Sequence, residues 1–129
     1  MGWVAAVVLL ALIEYLVFGF LVGRARAKYN VAAPATTGNA MFERYFRVHY
    51  NTLEQLVVFI PAIWLFGRFL SPLWAVALGA VFVIGRIIYA AGYISAPEKR
   101  GPGMGLSMLP NMILVLGALF GAVRAALVS

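Results

Sequence analysis

Arg47, Asn51, Glu54 and Gln55 follow one another at offsets of 4, 7 and 8, a spacing that sets all four on one face of a helix turning every 3.6 residues. A cation, a carboxylate and two amides on one face of an apolar segment make a candidate site for a water-soluble ligand. Arg can grip an anion such as a carboxylate through paired N–H groups. Arg86, Tyr89 and Tyr93 repeat the rule at offsets of 3 and 7, and that second stripe runs toward the segment holding Arg100. Glu43 and Arg44 begin the first of these helices in water.

Charged groups at membrane depth cost several kcal/mol unless paired or hydrated, so they face a bundle interior or a cavity and mark function by default. At ~1.5 Å per residue, Arg86 lies roughly 10 Å in from Tyr93, Glu54 roughly 10 Å beyond Arg47, and Glu14 roughly 14 Å in from Gly23. A plainer account makes Glu54 and Arg86, or Glu14 and Arg86, a structural pair that fixes helix register. The whole set exceeds what a register pin needs, and an anionic, water-soluble ligand explains more of it. His49 lies two residues past Arg47, off the stripe, where a histidine is more often an interfacial hydrogen-bonder than a catalytic base.

Cysteine is absent, so no disulfide, thiolate metal site or protein thiol nucleophile is available, and any sulfur chemistry uses a thiol carried by a substrate. No metal is expected. Arg100-Gly-Pro-Gly-Met-Gly lacks the spacing and preceding strand of a nucleotide loop, so its glycines are read as a tight turn.

These residues sit in a chain of 129 residues, 64% of them hydrophobic and 11% charged, with a mean hydropathy of +0.97. That composition belongs in lipid. Four apolar segments, each of about 20 residues and so long enough to cross ~30 Å of hydrocarbon, use up the chain as one all-α membrane domain over 1–129. The expected spans are 3–23, 42–66, 73–93 and 106–128, with Pro61 a candidate kink in the second. The run from Asn30 to Ala40 and the Pro- and Gly-containing run from Ser95 to Gly105 are read as loops. Gly19-x-x-x-Gly23 and Gly117-x-x-x-Gly121 suit close helix packing, with contact between subunits the expectation.

The net charge of +6 comes from Lys and Arg at the ends of apolar segments, which are topology signals and not a nucleic-acid groove. Arg24, Arg26, Lys28, Arg44, Lys99 and Arg100 share one side, while Arg68 and Arg124 take the other. The first side is therefore expected to be cytoplasmic, with both termini opposite. The first segment lacks a basic n-region and is longer than a signal h-region, so it is expected to stay attached. Ala6 stands where a myristoylation motif wants Ser or Thr.

Taken in order, Pro34-Ala-Thr-Thr-Gly38, Phe42-Glu-Arg44, Arg47-Val-x-x-Asn51-x-x-Glu54, Arg86-x-x-Tyr89-x-x-x-Tyr93 and Pro97-x-x-Arg100 resemble the MAPEG family, membrane-associated proteins in eicosanoid and glutathione metabolism. The resemblance implies a homotrimer of four-helix subunits, with glutathione as co-substrate between neighbouring subunits near the cytoplasmic side. An apolar electrophile or lipid would enter from the membrane. By the same resemblance Arg26, Arg47, Asn51, Glu54, Tyr89 and Tyr93 match glutathione-binding positions, His49 is counted with them, and Arg100 matches an arginine near the thiol. Two positions depart from leukotriene C4 synthase-like members, Gln55 replacing an aromatic residue and His49 an amide, so the pocket wall differs. Ala27 replaces a second arginine that some members carry near the electrophile.

The resulting expectation is a membrane glutathione transferase with glutathione peroxidase activity on lipid hydroperoxides. A non-catalytic lipid-binding scaffold of the same family is the alternative, against which Arg100 and the intact Arg47, Asn51 and Glu54 set argue. A small multidrug exporter, suggested by a lone Glu14 in the first span, is the more distant one.

Overall fold

With no water in hydrocarbon to serve backbone N–H and C=O groups, a spanning segment must satisfy them internally, and this chain does so with helices alone. A computed structural model describes residues 1–129 as α1 (Gly2–Tyr29), α2 (Ala40–Phe69), α3 (Pro72–Ser95) and α4 (Gly101–Val128), with one 3₁₀ turn (Pro97–Arg100) before α4. All four long helices have the length and hydropathy to cross a membrane, so the protein is an integral, multi-pass membrane protein.

The ends are set by local chemistry. Asn30 closes α1 in the left-handed conformation at φ 57°, which Asn tolerates better than most residues. Asn39 caps α2 by accepting from the Phe42 N–H at 2.9 Å, and Ser71 caps α3 by accepting from the Trp74 N–H at 3.2 Å, with Pro72 in the first helical turn,. Each helix runs a few residues past its expected span because its polar ends continue into the interface. α2 is unbroken through Pro61.

The segment Ser95–Gly105, read as a loop, is mostly helical, a correction with a clear cause. Only Ala96 is extended, the 3₁₀ turn follows, and Pro102 lies in the first turn of α4, where its missing N–H costs nothing. Of its glycines Gly103 is there for contact and not for a turn, since a Cβ there would overlap the Tyr89 backbone; further along α4, a Cβ at Gly117 would overlap the Phe66 ring and one at Gly121 would stand 2.7 Å from the Phe69 carbonyl oxygen. The α4 small-residue pair thus packs inside the subunit.

The core joins α1, α2 and α3 through Val4, Val7, Ala11, Phe59, Ile63 and Phe82, with the Phe59 and Phe82 rings stacked at 4.0 Å. Arg44 donates to the carbonyls of Ile94 and Ser95 at 3.0 and 3.1 Å, tying the start of α2 to the end of α3. The first and third connections therefore share one end of the bundle, and the site residues gather toward it.

Candidate functional site

Arg86 is fully buried and joins three helices. Its Nη2 donates to Asn51 Oδ1 at 2.9 Å and Thr52 Oγ1 at 2.8 Å on α2, and its Nη1 donates to Ser107 Oγ at 3.2 Å on α4. Its guanidinium lies 4.3 Å from the Tyr89 ring centroid. The hydroxyls are aligned for this because each donates along its own helix, Thr52 to the Val48 carbonyl and Ser107 to the Gly103 carbonyl, both at 2.8 Å. Lone pairs are thereby turned to the cation. At ~1.5–3 kcal/mol for each charged hydrogen bond, three of them exceed the ~2.5–3.5 kcal/mol that an Arg at the centre of a transmembrane helix costs on insertion scales.

The carboxylate pairings considered for Arg86 do not form. Glu54 lies on the exposed side of α2: the three-residue step from Asn51 leaves it roughly 60° from the direction that meets Arg86, so the stripe read as one face is split at the bundle's edge. Glu14 is within electrostatic reach of Arg86, yet both its oxygens are buried without a hydrogen-bond partner, as is Arg86 Nε. The register pin exists, but it is built from neutral acceptors.

Around this node the structure gathers several of the sequence candidates. Tyr89 is buried and Tyr93 half-buried, with ring centroids 5.7 Å apart. Arg47 and Arg100 are both exposed and, with Arg86, lie close enough to Tyr89 to act on its phenol electrostatically. Arg100 donates to the Pro97 carbonyl of its own turn at 3.0 Å. Asn51 is half-buried, its carbonyl turned inward to Arg86, so its NH2 group faces the other way as a donor.

Three candidates stand apart within the subunit. Glu54, exposed, makes no hydrogen bond. Arg26 donates to the Ala35 carbonyl at 2.7 Å and covers the Phe42 ring, using one of its five N–H donors. His49 stacks on Tyr15 with centroids 4.3 Å apart, against Gly19 of α1. Arg47 and Glu54 thus form an outward-facing charged stripe on a membrane helix with nothing in the chain to meet it.

Thr52, Ser107 and Asn111 were not singled out from sequence. Ser107 and Asn111 carry the available signal, two polar residues four apart in an apolar span, hence on one face. Asn111 donates from Nδ2 to the Gln55 carbonyl at 3.3 Å and to Gln55 Oε1 at 3.1 Å.

Comparison with known proteins places this geometry in context. The family model described as MAPEG family matches residues 4–120. An uncharacterised protein of Synechocystis sp. is 56% identical over 117 residues, 91% of this chain and 85% of that protein. Human microsomal glutathione S-transferase 2 is 40% identical over 116 residues, covering 89% of this chain and 79% of that protein. Rat leukotriene C4 synthase is 31% identical over 117 residues, covering 91% and 78%.

Proposed function

The chain belongs to the MAPEG family, and on that premise we propose that it is a membrane-bound glutathione transferase, with glutathione peroxidase activity toward lipid hydroperoxides. At the level of the family, the relatives named as glutathione S-transferases support a glutathione-related transferase. The observation that carries the finer reading is the outward stripe: Arg47 and Glu54, unpaired and exposed on a transmembrane helix, flank an Asn51 held by Arg86. Charges in that position need a partner from outside the subunit.

Glutathione offers two carboxylates, an ammonium and a thiol. Arg47 and Arg26 take the carboxylates, Glu54 the ammonium, and Asn51, Tyr89 and Tyr93 the neutral polar atoms. His49, stacked on Tyr15, is assigned to packing. The site closes when a second copy supplies Arg26 from the end of its own α1, in a homotrimer. The Lys and Arg of the first and third connections support a cytoplasmic site, with both termini opposite.

Arg100 is the catalytic residue of this scheme, holding the sulfur as a thiolate. A thiol with a reference pKa of ~8.5 is only ~3% ionised at pH 7, and a downward shift of two units makes it roughly three-quarters ionised. That takes about 2.7 kcal/mol, within the reach of a close Arg in a site shielded from water. In transfer, the thiolate forms a sulfur–carbon bond as the leaving group departs with the electrons of the bond it breaks. In the peroxidase reaction two glutathiones are oxidised to the disulfide, while the hydroperoxide O–O bond is reduced to an alcohol and water.

The test is an assay of detergent-purified protein with glutathione and a chromogenic aryl halide, beside a titration of thiolate absorbance. Product and a thiolate band at neutral pH are expected. Wild type that neither binds glutathione nor forms product sinks the proposal, whereas full activity in Arg100→Ala removes only the role of that residue.

A further inference from the structure

One stripe of α1 changes its chemistry at the membrane surface. Ile13, Val17, Leu21, Arg24 and Lys28 follow one another at offsets of 4, 8, 11 and 15, so all five share a face of the helix. Ile13 and Val17 are 54% and 49% exposed, Leu21 is half-buried, and Arg24 and Lys28 are exposed. At ~1.5 Å per residue the apolar part reaches roughly 16 Å in from Arg24, the depth of one leaflet of a ~30 Å hydrocarbon core. Beyond it, Arg24, Lys28 and Tyr29 meet Tyr45 of α2 around a notch of about 20 Å³, lined also by Leu21 and Ala25.

Arg26, Arg44 and Arg100, at the same end of the bundle, each donate to backbone carbonyls of the chain. Arg24 forms no hydrogen bond or ion pair within the subunit, and the Lys28 ammonium has only the Tyr29 ring, 5.4 Å away. No carboxylate lines the notch. A space of that size admits about one water-sized group, so it takes an oxygen of a larger ligand whose remainder lies outside. Topology does not ask for this arrangement, because the positive-inside bias counts Lys and Arg near a membrane surface wherever they point. It does not require two cations and two tyrosines to meet at the head of an apolar track. Arg26 lies two residues from each cation, about 200° round the helix, so a neighbouring copy that uses Arg26 leaves this face to lipid.

We propose that this end of α1 is a binding site for an anionic phospholipid, whose phosphate oxygens accept from Arg24 and Lys28 while an acyl chain lies along Leu21, Val17 and Ile13. Arg24 supplies a planar fork of donors suited to phosphate and Lys28 a point charge. Tyr29 and Tyr45 stand at the depth where amphipathic rings border headgroups. A phosphatidylcholine brings its own cation to a notch that already holds two, whereas a phosphatidylglycerol brings only the negative charge, so the site selects by net charge. None of this depends on the glutathione-transfer reading.

The experiment is native mass spectrometry of the full-length protein released from nonionic detergent micelles doped equally with phosphatidylglycerol and phosphatidylcholine. Wild type is expected to retain phosphatidylglycerol over phosphatidylcholine by about 25-fold at low ionic strength, about fivefold for each cation. Arg24→Gln and Lys28→Gln each lower that preference by about fivefold, and the double variant abolishes it. Lys99→Gln removes the same charge from the same end of the bundle but outside the notch, and leaves the preference unchanged. All three side chains are exposed, so the variants keep the fold, which an unchanged denaturant midpoint verifies. Equal retention of the two lipids by wild type, or a preference that survives the double variant, overturns the proposal. So does a loss in Lys99→Gln as large as in Arg24→Gln, which would assign the effect to general surface charge. Displacement of the lipid by inorganic phosphate, or by the chain-free headgroup glycerophosphoglycerol, would make the notch a site for soluble phosphates and overturn it as well.

Discussion

Arg86 and Glu54 both lie well inside helices that cross the membrane, and they answer the problem of charge in lipid in opposite ways. Arg86 is enclosed by Asn51, Thr52 and Ser107, a shell of neutral acceptors supplied by its own chain. Glu54 faces outward and forms no hydrogen bond within the subunit. The difference separates a charge that builds the fold from one that awaits a ligand or a neighbouring copy. Asn51 lies on the boundary, its carbonyl serving the inner cluster and its NH2 group available to the outer face.

The sharpest way to break this distinction is Arg86→Met. It strands three polar acceptors and the Glu14 carboxylate inside the bundle, so stability is expected to fall by about 3 kcal/mol or more, read as a lower denaturant midpoint in detergent. An unchanged midpoint would make the inner cluster dispensable and void the contrast. Arg100→Ala follows: at pH 7 the thiolate fraction drops by about 25-fold, and activity falls in proportion. Because only ionisation is lost, the variant regains rate as pH rises through the unshifted thiol pKa, whereas wild type is already near its plateau. A deficit that persists equally at high pH would assign Arg100 to binding.

Glu54→Ala is expected to weaken glutathione binding by about ten- to a hundredfold, the range of one charged hydrogen bond, with the denaturant midpoint unchanged. A parallel loss of stability would move Glu54 to the structural side of the comparison. The smallest effect belongs to His49→Phe, which preserves the stack on Tyr15 and should change glutathione affinity by less than about threefold, a shift near 0.5 kcal/mol. A large change in isothermal titration would return His49 to the ligand set.

Hydrophobic length made the four spans legible in the sequence, and residue spacing exposed both polar stripes. The direction in which each polar residue turns was less accessible. A charge in an apolar run announces that it needs partners without saying which, and Arg86 found neutral ones because Thr52 and Ser107 already point their protons down their own helices. The segment from Ser95 to Gly105 misled for a related reason. Its glycines resemble turn formers, yet Gly103 is required by the closeness of Tyr89, a contact between residues distant in sequence. The Gln55 and Asn111 pair shows the same limit: each residue is an unremarkable amide until a sequence separation of 56 is folded away.

The alignment of those two hydroxyls also bears on what can cross the bundle. A relay for protons needs every member to receive one and release another. Thr52 and Ser107 have committed theirs to backbone carbonyls, and the guanidinium between them has only donors to offer. The polar centre of this protein is therefore a terminus for hydrogen bonds and not a conduit.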